Sequence, residues 1–195
     1  MPVPLHAPSS GDFHTELKSA TDLRHRELEQ LDISRQLAGG TISPHNYRQY
    51  LLAMQDFVGS VEQKTGPLLQ KIIPDFDARQ KMGWLAEDLQ LCSAHRPLFD
   101  DTPWTEGFAL GVFYVLEGST LGGRFIQAKL KESGKIPAEK MRFFEGYGNR
   151  SGMMWKQFLA AMASFADTGE KRAQLTAGAN FGFATIKEQL TQISP

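Results

Sequence analysis

Hydrophobic residues recur at spacings of three and four along most of the chain, which is the pattern of amphipathic α-helices. The first helix is predicted from about Asp12 to Gln30. Its apolar face carries Phe13, Leu17, Ala20, Leu28 and Leu31. A second helix is predicted to start at Ser43, because a hydroxyl residue followed by Pro44 is typical of a helix N-terminus. Its apolar positions are Tyr47, Tyr50, Leu51, Met54, Phe57, Val58 and Val61.

Four more helices follow from the same spacing. Gly66-Pro67 is expected to kink or interrupt the second helix. The next helix is predicted from Asp77 to Cys92, with Met82, Leu85 and Leu89 facing inward. A long helix covers Thr105 to Lys131, and two others are predicted within residues 149–166 and 170–190.

No segment alternates between apolar and polar residues for long enough to predict a sheet. "MRFFEGYG" could form a short strand, but its glycines favour a loop or turn. The fold class predicted is all-α: one helical bundle of six to eight helices over residues 12–192, after a flexible N-terminal tail at residues 1–11. A flat cofactor commonly lies between the helices of such a bundle.

Composition narrows the function classes. The 195 residues are 41% hydrophobic and 22% charged, with a net charge of −1. Such a chain can bury a real core, and no charge run indicates a nucleic-acid surface. The single cysteine, Cys92, excludes an internal disulfide and cysteine-based zinc sites. The N-terminus lacks the apolar stretch of a signal peptide, and no apolar run approaches the roughly 20 residues of a membrane span. A cytoplasmic protein without membrane association is expected.

The stretch "YVLEGSTLGGRF" places three glycines inside a predicted helix, where each costs roughly 1 kcal/mol relative to alanine. Gly118 and Gly122 are four residues apart and share one helix face, with Gly123 beside them. Two explanations are open: close packing against another helix, or close approach of a ligand to bare backbone. The stretch is not a phosphate-binding loop, because Arg124 stands where that motif requires lysine.

The stretch "SATDLRHRELE" holds a candidate metal ligand in the first helix. Glu29 follows His25 by four residues, so its carboxylate can reach the imidazole. A carboxylate that holds one ring nitrogen leaves the other free to bind a metal. A surface ion pair is the other explanation. His14, eleven residues earlier, falls on nearly the same face and competes for the role of ligand.

Together these two stretches resemble the haem oxygenase family, specifically its bacterial, biliverdin-producing branch. That family has an Ala-Thr-x-x-x-His pattern in its first helix and Glu-Gly-Ser-x-Leu-Gly in a later, bent helix. "YGNRSGMMWKQFL" and "AGANFGFATIKEQL" are similar to later segments of the same branch. The resemblance implies a haem-oxygenase-like bundle with haem between the first helix and a glycine-kinked distal helix.

The resemblance also implies roles for individual residues. His25 would be the proximal metal ligand, and Glu29 would orient it. Gly118 and Gly122, with Gly123 beside them, would lie over the distal face of the haem. Ser119 stands where mammalian members have an aspartate that organises proton delivery, so this chain would need backbone groups, water or another side chain for that task.

The haem propionates need partners at the mouth of the pocket. Lys18 matches a basic position that the family uses, and Tyr114 could donate its phenol. A solvated lysine and a core tyrosine are the structural alternatives. Arg124 and Arg150 are weaker candidates. The closing helix has Gly178, Ala179 and Asn180 where a basic partner would be expected.

The activity implied is oxidative opening of the haem porphyrin at a meso carbon, with O2 and electrons, to give biliverdin, carbon monoxide and ferrous iron. Haem b would be both cofactor and substrate. Expected partners are an external reductant, such as ferredoxin or a flavoprotein reductase, and a photoreceptor that accepts biliverdin. One alternative is a non-catalytic haem carrier or sensor on the same fold. Another is a thiaminase-like enzyme, which would require a reactive cysteine such as Cys92.

Overall fold

The computed structural model describes residues 10–92 and 94–193, and these residues form an all-α bundle without β-strands. Residues 1–9 of the predicted tail lie outside the described residues, and the predicted domain boundary stays a prediction. The eight α-helices are α1 (Ser10–Glu29), α2 (Asp32–Ala38), α3 (Pro44–Leu69), α4 (Met82–Leu89), α5 (Glu106–Ser133), α6 (Arg142–Glu145), α7 (Ser151–Phe165) and α8 (Gly169–Thr191). Short 3-10 turns occupy Phe76–Arg79, Ala138–Lys140 and Gly148–Arg150. The prediction of an all-α bundle with six to eight helices is confirmed.

Helix α5 is central to the bundle: it packs along α8 and also contacts α3, α6 and α7. The two backbones meet at a pair of glycines. A Cβ atom at Gly111 would lie 2.0 Å from the Leu175 carbonyl oxygen, and one at Gly178 would lie 2.0 Å from that of Phe108. Only glycine permits this approach. In the part of the chain described, no helix is both long and apolar enough to span a membrane.

Helix α3 begins as the sequence predicts, but it does not stop at Pro67. The Ser43 hydroxyl accepts a hydrogen bond of 3.1 Å from the Asn46 N–H, and Pro44 occupies the first turn. The helix then runs unbroken through Pro67 to Leu69, so the predicted interruption is wrong, while the alternative of a kink stays a prediction. Proline removes only the bond to the Gln63 carbonyl, and Gln63 is exposed, so water can satisfy that oxygen.

The segment predicted as one helix from Asp77 to Cys92 is divided in two. The 3-10 turn ends before Gln80, whose backbone is extended, and α4 begins at Met82. This break directs the side chains of Arg79 and Lys81 into the interior, where both are fully buried. Gln90 adopts a left-handed conformation (φ 55°) and ends α4. Local spacing could not predict the break, because it serves partners distant in sequence.

Two short helices were not predicted. Helix α2 buries Ile33 and Leu37, which are four residues apart. Its length of seven residues is too short for periodicity to reveal it. Helix α6 occupies "RFFE" within "MRFFEGYG" and is followed by a turn, so this segment is not a strand, in line with its glycines.

Candidate functional site

A cavity of about 720 Å³ lies between α1 and α5. Helices α2, α3, α4, α6, α7 and α8 contribute further lining residues. Its lining is mainly apolar, with Met54, Phe57, Val115, Phe143, Phe144, Trp155, Phe183 and Ile186 among the side chains. Its volume falls in the range of roughly 300–1,000 Å³ that is typical of ligand and cofactor pockets. Two surface grooves of similar volume contain none of the predicted site residues.

The eight residues predicted for the site all line this one cavity. Helix α1 contributes Lys18, His25 and Glu29, while α5 contributes Tyr114, Gly118, Ser119, Gly122 and Gly123. The tertiary fold thus brings together two motifs that are far apart in sequence. His14 also lines the cavity, whereas Arg124, Arg150 and the exposed Cys92 do not.

His25 is half-exposed on α1, and its surroundings suit a ligand. Its Nδ1 atom lies 3.6 Å from Oε1 of Glu29, and its ring meets the Phe183 ring edge-on at 5.7 Å between centroids. Lys187 of α8 donates a hydrogen bond of 2.9 Å to Glu27, which holds α1 against α8 beside His25. With Nδ1 toward Glu29, Nε2 is the nitrogen left for a metal.

His14 lies in a different environment on the same cavity wall. Its ring packs edge-on against Trp155 at 5.8 Å and Tyr114 at 6.1 Å. Burial, and then the nearby Lys18 ammonium, lower the pKa of His14 below its usual value. Eleven residues of α-helix separate it from His25 by about 16 Å along the axis, so the two imidazoles cannot occupy the same coordination position.

The glycines of α5 divide into two groups. A Cβ atom at Gly122 would have no neighbour within 4 Å, and one at Gly118 would meet only the Trp155 ring, at 3.8 Å. Helix packing therefore does not require either glycine. At Gly123 a Cβ atom would lie 2.7 Å from the Phe144 carbonyl oxygen, so packing of α5 on α6 accounts for this one. The cofactor-binding role predicted for Gly123 stays a prediction, as does the bend expected in α5, which runs as one α-helix through the motif.

Ser119 lines the cavity, but its hydroxyl proton is donated to a backbone carbonyl rather than to the cavity. The hydroxyl donates a hydrogen bond of 2.8 Å to the Leu116 carbonyl oxygen, and Thr120 makes the equivalent bond of 2.7 Å to Glu117. The Ser119 oxygen therefore presents lone pairs to the cavity and can accept a hydrogen bond from a ligand or water.

The predicted propionate partners differ in accessibility. Lys18 is exposed and lines the cavity, so its ammonium can reach an anionic group bound there. Tyr114 is buried, packs against Trp155 at 5.5 Å, and has a pKa raised by burial. A neutral phenol at the cavity wall can still donate a hydrogen bond. Asn180 does not reach the cavity lining, and its amide donates to the Thr176 carbonyl oxygen at 3.0 Å.

Sequence reasoning missed a buried ionic cluster behind the glycine motif. Glu117, the residue before Gly118, accepts hydrogen bonds from Arg79, Lys81 and Tyr147. Arg79 and Lys81 lie on the segment that the sequence predicts as one continuous helix. The only signal available was a glutamate inside an otherwise apolar stretch of α5, which has to find a partner when buried.

Two sequence comparisons match this chain to known proteins. The family model described as heme oxygenase matches residues 100–192. A heme oxygenase of Xanthomonas campestris pv. campestris is 27% identical over 152 residues, which cover 76% of this chain and 90% of the relative.

Three solved structures share the fold. The heme oxygenase of Neisseria meningitidis, in its NO- and CO-bound forms, has a TM-score of 0.72 at 22% identity, covering 93% of this chain and 91% of its own. That of Leptospira interrogans has a TM-score of 0.75 at 17% identity, covering 92% and 98%. Heme oxygenase-1 of the cyanobacterium Synechocystis, in complex with heme, has a TM-score of 0.74 at 13% identity, covering 93% and 92%. Residues 100–192 thus match the heme oxygenase family model, the fold is that of solved heme oxygenases, and both sequence motifs lie on one cavity of it.

Proposed function

We propose that this protein is a haem oxygenase that opens the porphyrin ring of haem b at a meso carbon and releases biliverdin, carbon monoxide and ferrous iron. The observation that carries the proposal is the shared cavity: His25 and Glu29 on α1 face the same space as the side-chain-free surface at Gly118 and Gly122 on α5. O2 is the oxidant, and an external reductant such as ferredoxin or a flavoprotein reductase supplies the electrons.

The residues present fit a haem. The cavity is mainly apolar and of cofactor size, as the flat macrocycle requires. Haem iron would need an imidazole from the protein, which His25 can supply. When bound, haem supplies the redox chemistry and is itself consumed. A Cβ or larger side chain at Gly122 would enter space that is now open.

Each residue then has a limited task. His25 would bind the iron through Nε2, and Glu29 would orient the imidazole. Gly118 and Gly122 leave open space beside α5, and Ser119 can accept a hydrogen bond from a ligand in the cavity. Lys18 and Tyr114 would hold the propionates. The apolar side chains of α5 and α8 exclude bulk water from the cavity.

The test is a hemin titration followed by turnover. The protein should bind hemin with the absorption spectrum of a histidine-ligated complex. Added ascorbate, or a ferredoxin system with NADPH, should then bleach the Soret band while biliverdin absorbance appears. A stable complex that never yields biliverdin with any reductant would indicate a carrier or sensor instead.

Location and product use follow from the same proposal. We place the protein in the cytoplasm, where reductants are available. Biliverdin would be released to an acceptor such as a photoreceptor. The thiaminase-like alternative requires a reactive thiol in the cavity. Cys92 does not provide one, because it is exposed and lies outside the cavity lining.

A further inference from the structure

The ionic cluster behind α5 is buried to a degree that is unusual for charged residues. Arg79 and Lys81 are 0% exposed, Glu117 is 1% exposed and Tyr147 is 7% exposed. Charged side chains are almost never fully buried unless they are paired. Breaking such a pair is strongly unfavourable, because it leaves an uncompensated charge in a medium of low dielectric constant.

The Lys81 ammonium has a partner for each of its three N–H donors. It donates to Oε1 of Glu117 at 2.5 Å, to the Arg79 carbonyl oxygen at 2.8 Å and to the Tyr147 hydroxyl oxygen at 3.1 Å. The Tyr147 hydroxyl in turn donates to Oε1 of Glu117 at 2.7 Å. Lys81 lines the cavity, yet it has no N–H left for a ligand. Its effect on the cavity is therefore electrostatic.

Arg79 completes the balance of charge. Its guanidinium donates to Oε2 of Glu117 and, with two bonds of 2.9 Å, to Asp75. Burial alone would lower the pKa of Arg79, but the hydrogen bonds and charges of Asp75 and Glu117 outweigh it and raise the pKa. Two cations thus face two carboxylates. Glu62, which accepts from the Lys81 backbone N–H, has a pKa raised by burial.

The cluster directly adjoins the wall that Gly118 and Gly122 form, here called the distal wall. Glu117 precedes Gly118 in the chain, and Lys81 and Trp84 line the same cavity. Because Lys81 itself lines the cavity and the cluster is buried, a charge left unbalanced there would act on a ligand with less screening than a surface charge.

We propose that Glu117 and Lys81 are positioning residues that set the ligand preference of the cavity: by neutralising each other behind the distal wall, they favour a small neutral ligand over an anion. The inference rests on the proposed haem binding, since the ligand is measured on the haem complex. It assigns a functional reason for keeping a buried ion pair, which a well-packed apolar pair could replace without loss of stability.

The experiment compares the hemin complexes of the wild type, Glu117→Gln, Lys81→Met and the double variant. Each is titrated with azide, an anion, and with imidazole, a neutral ligand that controls for pocket shape. A unit charge acting over roughly 10 Å at an effective dielectric constant of about 20 changes the affinity of an anion roughly tenfold. Glu117→Gln should raise azide affinity relative to imidazole, Lys81→Met should lower it, and the double variant should return near the wild type.

If the azide-to-imidazole affinity ratio changes in opposite directions in the two single variants, the effect is electrostatic. Structural damage would shift the ratio of both single variants in the same direction. The inference is overturned if the azide-to-imidazole ratio shifts in the same direction in both single variants, or if it does not change. If Glu117→Gln does not fold, Lys81→Met and the double variant decide the sign by themselves. Asp56→Asn is the matched control, because it removes a carboxylate that pairs with Arg96 at 3.2 Å, outside the cavity; its ratio should equal that of the wild type.

Failure of the proposed function gives a different result. In that case the wild-type protein does not bind hemin, or binds it equally well after His25→Ala. A normal wild-type haem complex with unresponsive variants contradicts only the inference about Glu117 and Lys81.

Discussion

Nδ1 of His25 lies 3.6 Å from Oε1 of Glu29, one turn further along α1. This is longer than a direct hydrogen bond, so the pair is an electrostatic contact between two half-exposed groups, with 54% and 61% of their side chains accessible. Contacts of this kind are screened by solvent and are individually weak. Glu29 should therefore refine the orientation of the imidazole, while Phe183 supports the ring by packing.

Glu29→Gln is expected to weaken hemin binding only modestly. Loss of a carboxylate beside a ligating histidine typically costs 10–100-fold in metal affinity, and the exposed position places this case at or below about tenfold. The measurement is a hemin titration beside Glu132→Gln, which removes a surface carboxylate paired with Lys129. A loss of a hundredfold or more would mean that the pair closes to a tight hydrogen bond in the haem complex.

His25→Ala should abolish turnover and the spectrum of histidine-ligated iron, since it removes the only nitrogen assigned to the metal. Added imidazole should restore part of the signal by entering the vacated position. His14→Ala is the matched control on the same helix and should retain the spectrum. The reverse pattern would identify His14 as the ligand.

Gly122→Phe should prevent haem entry, because the substituted ring would occupy space that is now open beside α5. Hemin affinity should fall by at least tenfold without loss of secondary structure by circular dichroism. Gly152→Phe is the matched control: this helical glycine also has open space at its Cβ position, but it lies on α7 outside the cavity. Equal affinity in the two variants would remove Gly122 from the binding surface.

Gly111→Ala should destabilise the apoprotein, because its methyl group would overlap the Leu175 carbonyl oxygen and force α5 and α8 apart. Overpacking of this kind typically costs about 1–3 kcal/mol. Gly83→Ala provides the contrast, since nothing lies within 4 Å of its Cβ position on α4. That change should be neutral or stabilise by up to about 1 kcal/mol. Urea unfolding midpoints of the two variants give the comparison.

The stability of the apoprotein should depend on the protonation of His14. Burial and Lys18 lower its pKa in the folded protein below the unfolded value of about 6.5. The unfolded state therefore binds more protons just below that pH, and the free energy of unfolding falls as the pH falls through this window.

His14→Gln should flatten this part of the pH dependence. Urea unfolding at about pH 7.5 and about pH 5.5 measures it in both proteins. Burial raises the pKa values of Glu62 and Asp88, which contribute with the opposite sign at lower pH. The informative quantity is therefore the difference between the wild type and His14→Gln in how the free energy of unfolding changes with pH. An identical slope in both proteins would show that His14 is not the group responsible.

Several features were predictable because they depend on neighbours along the chain. Helical spacing identified the long helices, and Ser43 and Pro44 marked the start of α3. The i, i+4 relation of His25 to Glu29 and of Gly118 to Gly122 follows from the helix repeat itself. Resemblance then linked the two motifs, whose positions on one cavity the structure shows.

Other features depend on residues distant in sequence. The break after Arg79 exists because Arg79 and Lys81 turn inward to Glu117, 38 and 36 positions further along. The two explanations for the glycines could not be separated by spacing, since Gly123 meets the Phe144 backbone while Gly122 meets nothing. Both lie on the same short motif, and only the position of α6 distinguishes them.

The sequence by itself determined the long helices, the start of α3 and the residues that share a helix face, since these follow from bonds and contacts within a few residues. Only the tertiary structure decided which faces meet, which glycines are open to a ligand and which charges are paired behind α5. Those properties depend on how the helices pack. The neighbours of a side chain then come from segments distant in sequence, and the local sequence does not specify which segments these are.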